Sequence, residues 1–230
     1  MTLKQLKELK AIERKKREIE RLKNLYQYED ETRRQGFNLI AGVDEVGRGS
    51  LAGPVVVAAV ILPANIFIER LNDSKKLTHK IREQLYNVIT SKAIAYASVR
   101  VEIEEIDREN IYRATLNGMY RAVKALPIKP DFVLTDAMKV QFDSPIETRS
   151  IIHGDALSAS IAAASIVAKV TRDRMTDEWA LKYPQYGFDH NRGYGTKLHR
   201  EAIYKYGPCE LHRRSFEPAK SMFSKQMSLL

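Results

Sequence analysis

The chain has 230 residues, of which 44% are hydrophobic, a length and composition that suit one globular domain with an appendage. Its formal net charge of +9 favours a polyanionic partner, with nucleic acid as the leading candidate, over a small neutral substrate. The single cysteine, Cys209, excludes an internal disulfide and a zinc site of several thiolates. No apolar run approaches the roughly 20 residues that cross a bilayer, so we expect a cytoplasmic protein.

The N-terminal residues 1–36 form the first predicted unit, a basic amphipathic helical extension. Leucines and isoleucines recur there at spacings of three, four or seven, which predicts a helix over residues 3–35. Its lysines and arginines could contact phosphates. Acidic residues are interleaved among them, which favours a solvated helix that packs through its leucines.

The main domain, residues 37–230, begins with a β-rich pattern. Strands are predicted over 38–44 and 53–62, joined as a hairpin by a glycine-containing loop. Thr78 is expected to cap a helix that runs to about residue 90, and a third strand follows over 93–103. These three strands suit an antiparallel meander.

The pattern then changes to alternating helices and strands. A helix is predicted over 107–126, and strands over 132–135 and 148–152. The small apolar residues from Ala156 to Lys169 predict a helix buried against the sheet. Residues 183–218 are typical of loops and short helices on the surface, and the tail from residue 219 is expected to fray.

Acidic residues mark three predicted strand ends. Asp44 and Glu45 precede a glycine-rich loop, Asp136 closes the strand over 132–135, and Asp155 follows the strand over 148–152. Carboxylate oxygens are the ligands that Mg²⁺ and Mn²⁺ prefer, whereas the five histidines lack the compact spacing of a zinc site. A pair of such ions in a basic protein predicts a nuclease. Glu45 is the less certain ligand, because neighbouring residues of a strand point to opposite faces.

Several motifs, in one order over residues 38–218, resemble the bacterial ribonuclease HII family. They are Asp44-Glu45-Val46-Gly47-Arg48-Gly49, Asp73-Ser74-Lys75-Lys76-Leu77, Gly154-Asp155-Ala156, Gly193-Tyr194-Gly195-Thr196 and His212-Arg213-Arg214-Ser215-Phe216. The resemblance implies an α/β, RNase H-like fold with a central mixed sheet of five strands flanked by helices. It also implies a divalent metal cofactor, Mn²⁺ or Mg²⁺, and cleavage of the RNA strand in RNA–DNA hybrids and at single ribonucleotides in duplex DNA.

The same resemblance implies roles for individual residues. The metal-binding catalytic carboxylates are those of Asp44, Glu45, Asp136 and Asp155, and Ala137 stands where the family usually has glycine. Main-chain amides of the loop Gly47-Arg48-Gly49 are expected to sense the 2′-hydroxyl, and Tyr194 to stack on the sugar; a tight turn and a surface aromatic are the structural alternatives. Residues 37–230 become the catalytic domain, with a substrate-binding region at about 183–218. Candidate phosphate contacts are Lys75, Lys76, Ser158, Lys169, Arg172, Arg213 and Arg214.

The leading hypothesis is therefore a monomeric endoribonuclease that cuts on the 5′ side of a ribonucleotide and leaves 3′-hydroxyl and 5′-phosphate ends. A structure-selective DNA nuclease of the same broad fold would also place acids at strand ends. A nucleic-acid-binding module with structural acids is the alternative from another class. His153, His190, His199 and His212 are interpreted as structural rather than catalytic.

Overall fold

A mixed sheet of five strands forms the centre of the computed structural model, which describes residues 3–143 and 145–227. The strands are β1 (Ile40–Val46), β2 (Val55–Ile61), β3 (Ala95–Val101), β4 (Phe132–Asp136) and β5 (Glu147–Ile151), in the order β3-β2-β1-β4-β5. β1, β2 and β3 pair antiparallel, whereas β4 is parallel to β1 and β5 is parallel to β4. The predicted meander and the predicted mixed sheet are confirmed.

Helices cover both faces of the sheet, and the strand sequences explain why. Every residue of β2 is buried, and its valines, alanines and isoleucine have no polar face to turn toward water. On one face, α5 (Ile111–Lys124) packs against β1, β2 and β3. On the other face lie α7 (Ala159–Lys182) and α3 (His79–Lys92).

α7 approaches β1 closely because Gly42 has no side chain. A Cβ built on Gly42 would lie 2.0 Å from the main-chain carbonyl carbon of Ser160, at the start of α7. The helix is buried around its alanine-rich first half, as the small apolar residues predict. The structure divides the predicted segment, however: α6 (Gly154–Leu157) ends at Ser158, whose hydroxyl accepts a hydrogen bond from the Ile161 N–H and caps α7.

The N-terminal extension consists of two helices rather than the single helix predicted over 3–35. These are α1 (Leu3–Leu25) and α2 (Gln27–Arg34), and they separate at Tyr26. Packing through leucines is seen at the end of α1, where Leu22 and Leu25 are buried, whereas Leu6, Leu9 and Ile12 in the earlier half are exposed. Met1 and Thr2 of the predicted extension lie outside the described residues.

The remaining helices differ from their predictions mainly at their ends. α3 begins after Thr78, as predicted, but the Thr78 side chain forms no capping hydrogen bond. The predicted helix over 107–126 is two helices, α4 (Ile103–Glu109) and α5, because Asn110 takes a φ of +74° and caps α5 through its side-chain oxygen.

The C-terminal part contains α8 (Phe188–Asn191), α9 (Lys197–Tyr206) and α10 (Ala219–Met227). The predicted surface location of 183–218 is wrong for several of its residues, because Tyr186, Phe188 and Ile203 form a buried cluster with Leu51 and Ala52. The last three residues of the tail, 228–230, lie outside the described part. Within that part, no helix combines the length and the apolar character that crossing a membrane requires.

Candidate active site

Three carboxylates meet at the carboxyl end of β1 and β4. The two strands are parallel neighbours in the register Val43 opposite Thr135, so the next residue on each strand, Asp44 and Asp136, lies beside the other. Asp155 joins them from α6. One carboxylate oxygen from each of the three residues lies within 4.8 Å of the others. The structure thus brings together acids that are far apart in the chain.

Asp155 reaches this position through a tight connection after β5. His153 takes a left-handed conformation with a φ of +59°, and α6 begins at the next residue. The Gly154 N–H donates a hydrogen bond of 2.8 Å to Oδ1 of Asp136, so the start of α6 is joined to the end of β4. The other side of Asp155 is occupied by Lys75, whose Nζ donates to Oδ2 at 2.9 Å.

The electrostatics of the cluster favour a bound cation. Asp44 is only 3% exposed, and its burial, together with the charges of Glu45 and Asp136, raises its pKa well above the usual value. Burial also raises the pKa of Asp136, although the hydrogen bond from Gly154 opposes the shift. Buried carboxylates that repel each other are costly unless a positive charge compensates them.

Glu45 lies beside this cluster rather than within it. β1 continues in regular pairing to Val46, so the Glu45 side chain leaves the strand on the face opposite to that of Asp44. Burial raises the pKa of its carboxyl and the nearby charge of Asp136 adds to the rise, so the end of the side chain lies close to the cluster. Its Oε1 forms an ion pair of 3.2 Å with Arg48, whereas its Oε2 is buried and has no hydrogen-bond partner among the described residues. A buried oxygen without a partner, next to three clustered carboxylates, fits a hard divalent cation.

The loop after β1 brings main-chain groups and Tyr194 together. Gly47 takes a φ of +95°, which only glycine adopts readily, and the Ser50 N–H donates to the Gly47 carbonyl to close the turn. Ser50 also pairs with Tyr194 in an isolated β-bridge. A Cβ on Gly49 would lie 4.0 Å from Cε1 of Tyr194, so the exposed face of the loop and the partly exposed ring are neighbours.

Comparison with known proteins identifies the family. The model of the family Ribonuclease HII matches residues 41–219. This chain belongs to the ribonuclease HII family. A ribonuclease HII of Bacillus thuringiensis (strain Al Hakam) is 51% identical over 220 residues, which are 96% of this chain and 85% of that protein.

Solved structures agree on the fold. Ribonuclease H2 from Pyrococcus horikoshii OT3 aligns with a TM-score of 0.69 and 28% identity, over 81% of this chain and 97% of that chain. Bst-RNase HIII, solved in complex with Mn²⁺, aligns with a TM-score of 0.59 and 18% identity, over 83% of this chain and 70% of that chain. The RNase H-like fold is therefore confirmed, and membership of the family makes the chain a hydrolytic nuclease of ribonuclease H type 2 that uses divalent metal. The two alternatives from the sequence, a structure-selective DNA nuclease and a non-catalytic binding module, are not supported by this membership.

Three of the predicted phosphate contacts lie at the surface of this ribonuclease HII. Lys75 has a side chain that is 73% exposed, and Lys76 and Arg214 are exposed as well. All three remain candidates for contact with a nucleic-acid backbone. Lys169 is different, because its ammonium group is largely buried in an ion pair with Asp173 and burial lowers its pKa.

Three other predicted contacts are wrong, because their side chains are fully buried. Ser158, Arg172 and Arg213 each have 0% exposure. Ser158 donates its hydroxyl proton to Glu29, and the two arginines donate to main-chain carbonyl oxygens. Lysine and arginine residues are mostly exposed in proteins, and nothing in the local sequence distinguishes these two arginines from exposed ones.

The sequence did not reveal a buried structural contact of the N-terminal extension. Glu29, in α2, is fully buried, and its Oε1 accepts hydrogen bonds from the Ser158 hydroxyl at 2.6 Å and the Ser160 N–H at 2.8 Å. A carboxylate at the start of α7 is stabilised by the orphan amides there. This bond ties the extension to the turn of chain that follows Asp155, although Glu29 lies in a run of charged residues that is typical of a solvated surface.

His199 and His212 form a buried pair in the C-terminal part, in agreement with their structural interpretation, whereas His153 lies beside Asp136, directly before Gly154. His199 and His212 are buried, and their Nε2 atoms are 3.1 Å apart. The Cys209 N–H donates to Nδ1 of His212, while Nδ1 of His199 faces the Tyr194 carbonyl at 2.9 Å. These partners select a neutral tautomer for each ring, with His212 donating to His199 and His199 donating to Tyr194. Burial lowers the pKa of both rings, to about 4 for His212.

Proposed function

We propose that this ribonuclease HII hydrolyses the phosphodiester on the 5′ side of a ribonucleotide in duplex DNA, and cuts the RNA strand of RNA–DNA hybrids, leaving 3′-hydroxyl and 5′-phosphate ends. The observation that carries the proposal is the proximity of two features. Asp44 lies near the end of β1, Asp136 is the last residue of β4 and Asp155 follows β5, and the loop Gly47-Arg48-Gly49 continues directly from β1. A metal site and a group that can sense a sugar hydroxyl are therefore only a few residues apart.

The carboxylates of Asp44, Asp136 and Asp155 would hold a divalent cation, Mn²⁺ or Mg²⁺, with Glu45 supplying its unpartnered oxygen. When bound, such ions lower the pKa of water and stabilise the leaving oxygen of a phosphodiester. The hydrogen bond from Gly154 fixes the orientation of the Asp136 carboxylate. Lys75 lies at the outer side of Asp155, where its exposed ammonium group can attract the substrate backbone.

Ribonucleotide recognition is assigned to the loop and to Tyr194. The N–H groups of Arg48 and Gly49 have no hydrogen-bond partner within the described chain, so both are available to the 2′-hydroxyl that separates RNA from DNA. The Arg48 side chain is 40% exposed, and its guanidinium can contact a phosphate. The partly exposed Tyr194 ring lies beside Gly49, where it can stack on the sugar.

Nicking of a duplex that contains one ribonucleotide tests this function. The purified protein should cut the ribonucleotide strand in Mg²⁺ or Mn²⁺ and not in a chelator, and an all-DNA duplex should stay intact. The 3′ end at the nick should be extended directly by a polymerase, and the 5′ end, which carries the ribonucleotide, should accept labelled phosphate from a polynucleotide kinase only after treatment with a phosphatase. Asp136→Asn should lower the rate by at least about 100-fold. Equal cutting of the all-DNA duplex would contradict the proposal.

We also propose that the chain works as a monomer in the cytoplasm. All of the carboxylates, the loop and Tyr194 come from one chain, so a second copy is not needed to complete the site. Light scattering on the active protein tests this, because a dimer that loses activity on dilution would contradict it.

A further inference from the structure

Two buried arginines lie behind the substrate-sensing loop without a carboxylate partner. Arg172 and Arg213 are both fully buried, and neither takes part in a salt bridge with any described residue. Burial of a guanidinium is costly unless its donors are satisfied. Both side chains donate hydrogen bonds to main-chain carbonyl oxygens alone, so each of them holds several peptide groups of the backbone in a fixed orientation.

Arg213 holds the carbonyl groups of the loop itself. Its Nη2 donates to the Gly47 oxygen at 2.6 Å, and its Nη1 donates to the Arg48 oxygen at 2.8 Å. Its Nε and Nη2 both donate to the Gly53 oxygen, at 2.9 and 2.8 Å. One planar guanidinium therefore joins both ends of the loop and fixes two consecutive peptide groups between them.

Fixing these carbonyls also fixes the amides that follow them. A trans peptide is planar, and its C=O and N–H bonds point in opposite directions. Because the Gly47 and Arg48 carbonyls point toward buried Arg213, the Arg48 and Gly49 N–H groups point away from it. Neither of these two amides has a hydrogen-bond partner among the described residues.

We propose that Arg213 is a positioning residue for ribonucleotide recognition: it orients two peptide planes so that the Arg48 and Gly49 amides face the 2′-hydroxyl. This inference rests on the proposed function. Lysine cannot replace the arginine, since a single ammonium group lacks the planar fork that binds three carbonyls at once. The cation is not neutralised by a neighbour: burial, and then the charge of Arg172, lower the pKa of Arg213 to about 9.

Arg172 provides a matched control. It is equally buried and also donates to three carbonyl oxygens, those of Ala52, Pro54 and Arg192. None of these carbonyl groups shares a peptide bond with the Arg48 or Gly49 N–H. The Arg172 guanidinium also lies over the Tyr194 ring, 5.8 Å from its centroid. Loss of Arg172 should therefore loosen Tyr194 and lower the affinity for both duplexes alike, without turning the Arg48 and Gly49 amides.

Binding to two duplexes separates these roles. In an Asp136→Asn background without metal, affinity is measured for a DNA duplex with one central ribonucleotide and for the same duplex made of DNA alone. One hydrogen bond to the 2′-hydroxyl predicts a preference of up to about tenfold for the ribonucleotide duplex. Arg213→Lys should reduce the preference to about twofold or less, with affinity for the DNA duplex changed by less than about twofold. Arg172→Lys should keep the preference.

An equal loss of affinity for both duplexes in Arg213→Lys would identify a general contribution to binding and overturn the proposal. So would an unchanged preference, or the same loss of preference in Arg172→Lys. If the parent protein itself shows no preference and the active enzyme cuts both duplexes alike, the proposed function fails as well. A preference that survives in Arg213→Lys contradicts this inference alone.

If Arg213→Lys does not fold, the proposal can be tested on the protein without this substitution, by measuring the NMR resonances of the loop amides. In protein labelled with ¹⁵N, the Arg48 and Gly49 amides should shift on binding the ribonucleotide duplex and not on binding the DNA duplex. The Ser50 amide, which already donates to the Gly47 carbonyl, is the internal reference and should respond equally to both duplexes. Equal shifts of Arg48 and Gly49 with both duplexes would overturn the proposal.

Discussion

Replacing Gly42 by alanine should move α7 away from the sheet and disturb the active site. The added Cβ would lie 2.0 Å from the Ser160 carbonyl carbon and 2.3 Å from the Ile161 nitrogen. Both atoms belong to the helix backbone, so no side-chain rotation can make room. Since non-bonded carbons pack at about 3.5 Å or more, the start of α7 must shift by roughly 1.5 Å.

The cost of this shift follows from the lost contacts. Neighbouring side chains take up part of the roughly 1.5 Å displacement by relaxing. An interface with about 50 atom pairs at ~0.15 kcal/mol each then forfeits a quarter to a half of its attraction when the remaining gap is up to ~1 Å, which is roughly 2–4 kcal/mol. Asp44 lies two residues after Gly42, and Asp155 lies before the start of α7. A displacement of about 1 Å between catalytic groups can lower a rate by about 100-fold.

Urea unfolding and steady-state nicking measure the two effects. Gly118→Ala is the matched control, because the nearest atoms to its Cβ would be side-chain carbons of Val101 and Val57, at 2.4 and 3.0 Å, rather than backbone atoms. We expect Gly42→Ala to lose about 3 kcal/mol of the free energy of unfolding and to nick more slowly, and Gly118→Ala to lose about 1–2 kcal/mol, as overpacking of a core does, with its nicking rate kept. The reasoning is refuted if Gly42→Ala is as stable and as active as the parent protein.

Three further predictions concern single residues. Burial lowers the pKa of His212 from 6.5 to about 4, so between these pH values the unfolded state binds a proton at this ring and the folded state does not. The free energy of unfolding should therefore fall by roughly 3 kcal/mol as the pH drops from 6.5 through 4. In urea titrations at several pH values, His212→Asn should make the free energy of unfolding less dependent on pH. Ala137 takes a φ of +52°, so Ala137→Gly should raise the free energy of unfolding by about 0.5 kcal/mol, and a loss above ~1 kcal/mol in the same titration would contradict the strain argument. Glu29→Ala should cost about 3 kcal/mol, because it leaves the Ser158 hydroxyl and the Ser160 amide without their acceptor; an unchanged thermal midpoint would show that the bond contributes nothing.

The sequence was sufficient to predict the centre of the fold and the position of the carboxylates. Buried β-branched runs such as β2 have one stable arrangement, in the middle of a sheet, and acids at the ends of parallel strands meet at the same edge. The alternation of side chains along β1 made Glu45 the less certain ligand, and the group of three clustered carboxylates does not include it. The strands and their acidic ends follow from local periodicity, whereas the mixed sheet that joins them was expected from the resemblance to the ribonuclease HII family.

Contacts between distant segments could not be predicted in this way. Arg172 and Arg213 carry the same side chain as an exposed arginine, and only the tertiary structure supplies the carbonyls that they bind. Glu29 is equally unmarked, because its partners Ser158 and Ser160 lie more than a hundred residues further along the chain. The helix breaks at Tyr26 and Asn110 were missed because the apolar spacing continues across them.

The hydrogen bonds of Glu29 determine which part of the N-terminal extension can be shortened or labelled without disturbing this enzyme. α2 contributes a buried acceptor to the helix that follows Asp155, so deleting it would expose polar groups in the interior. In the first half of α1, Leu6, Leu9 and Ile12 are exposed to water, and Glu18 then accepts a hydrogen bond from the Arg70 N–H of the main domain. Affinity tags, fluorophores and surface-immobilisation sites therefore belong well ahead of Glu18, where they leave the catalytic architecture intact.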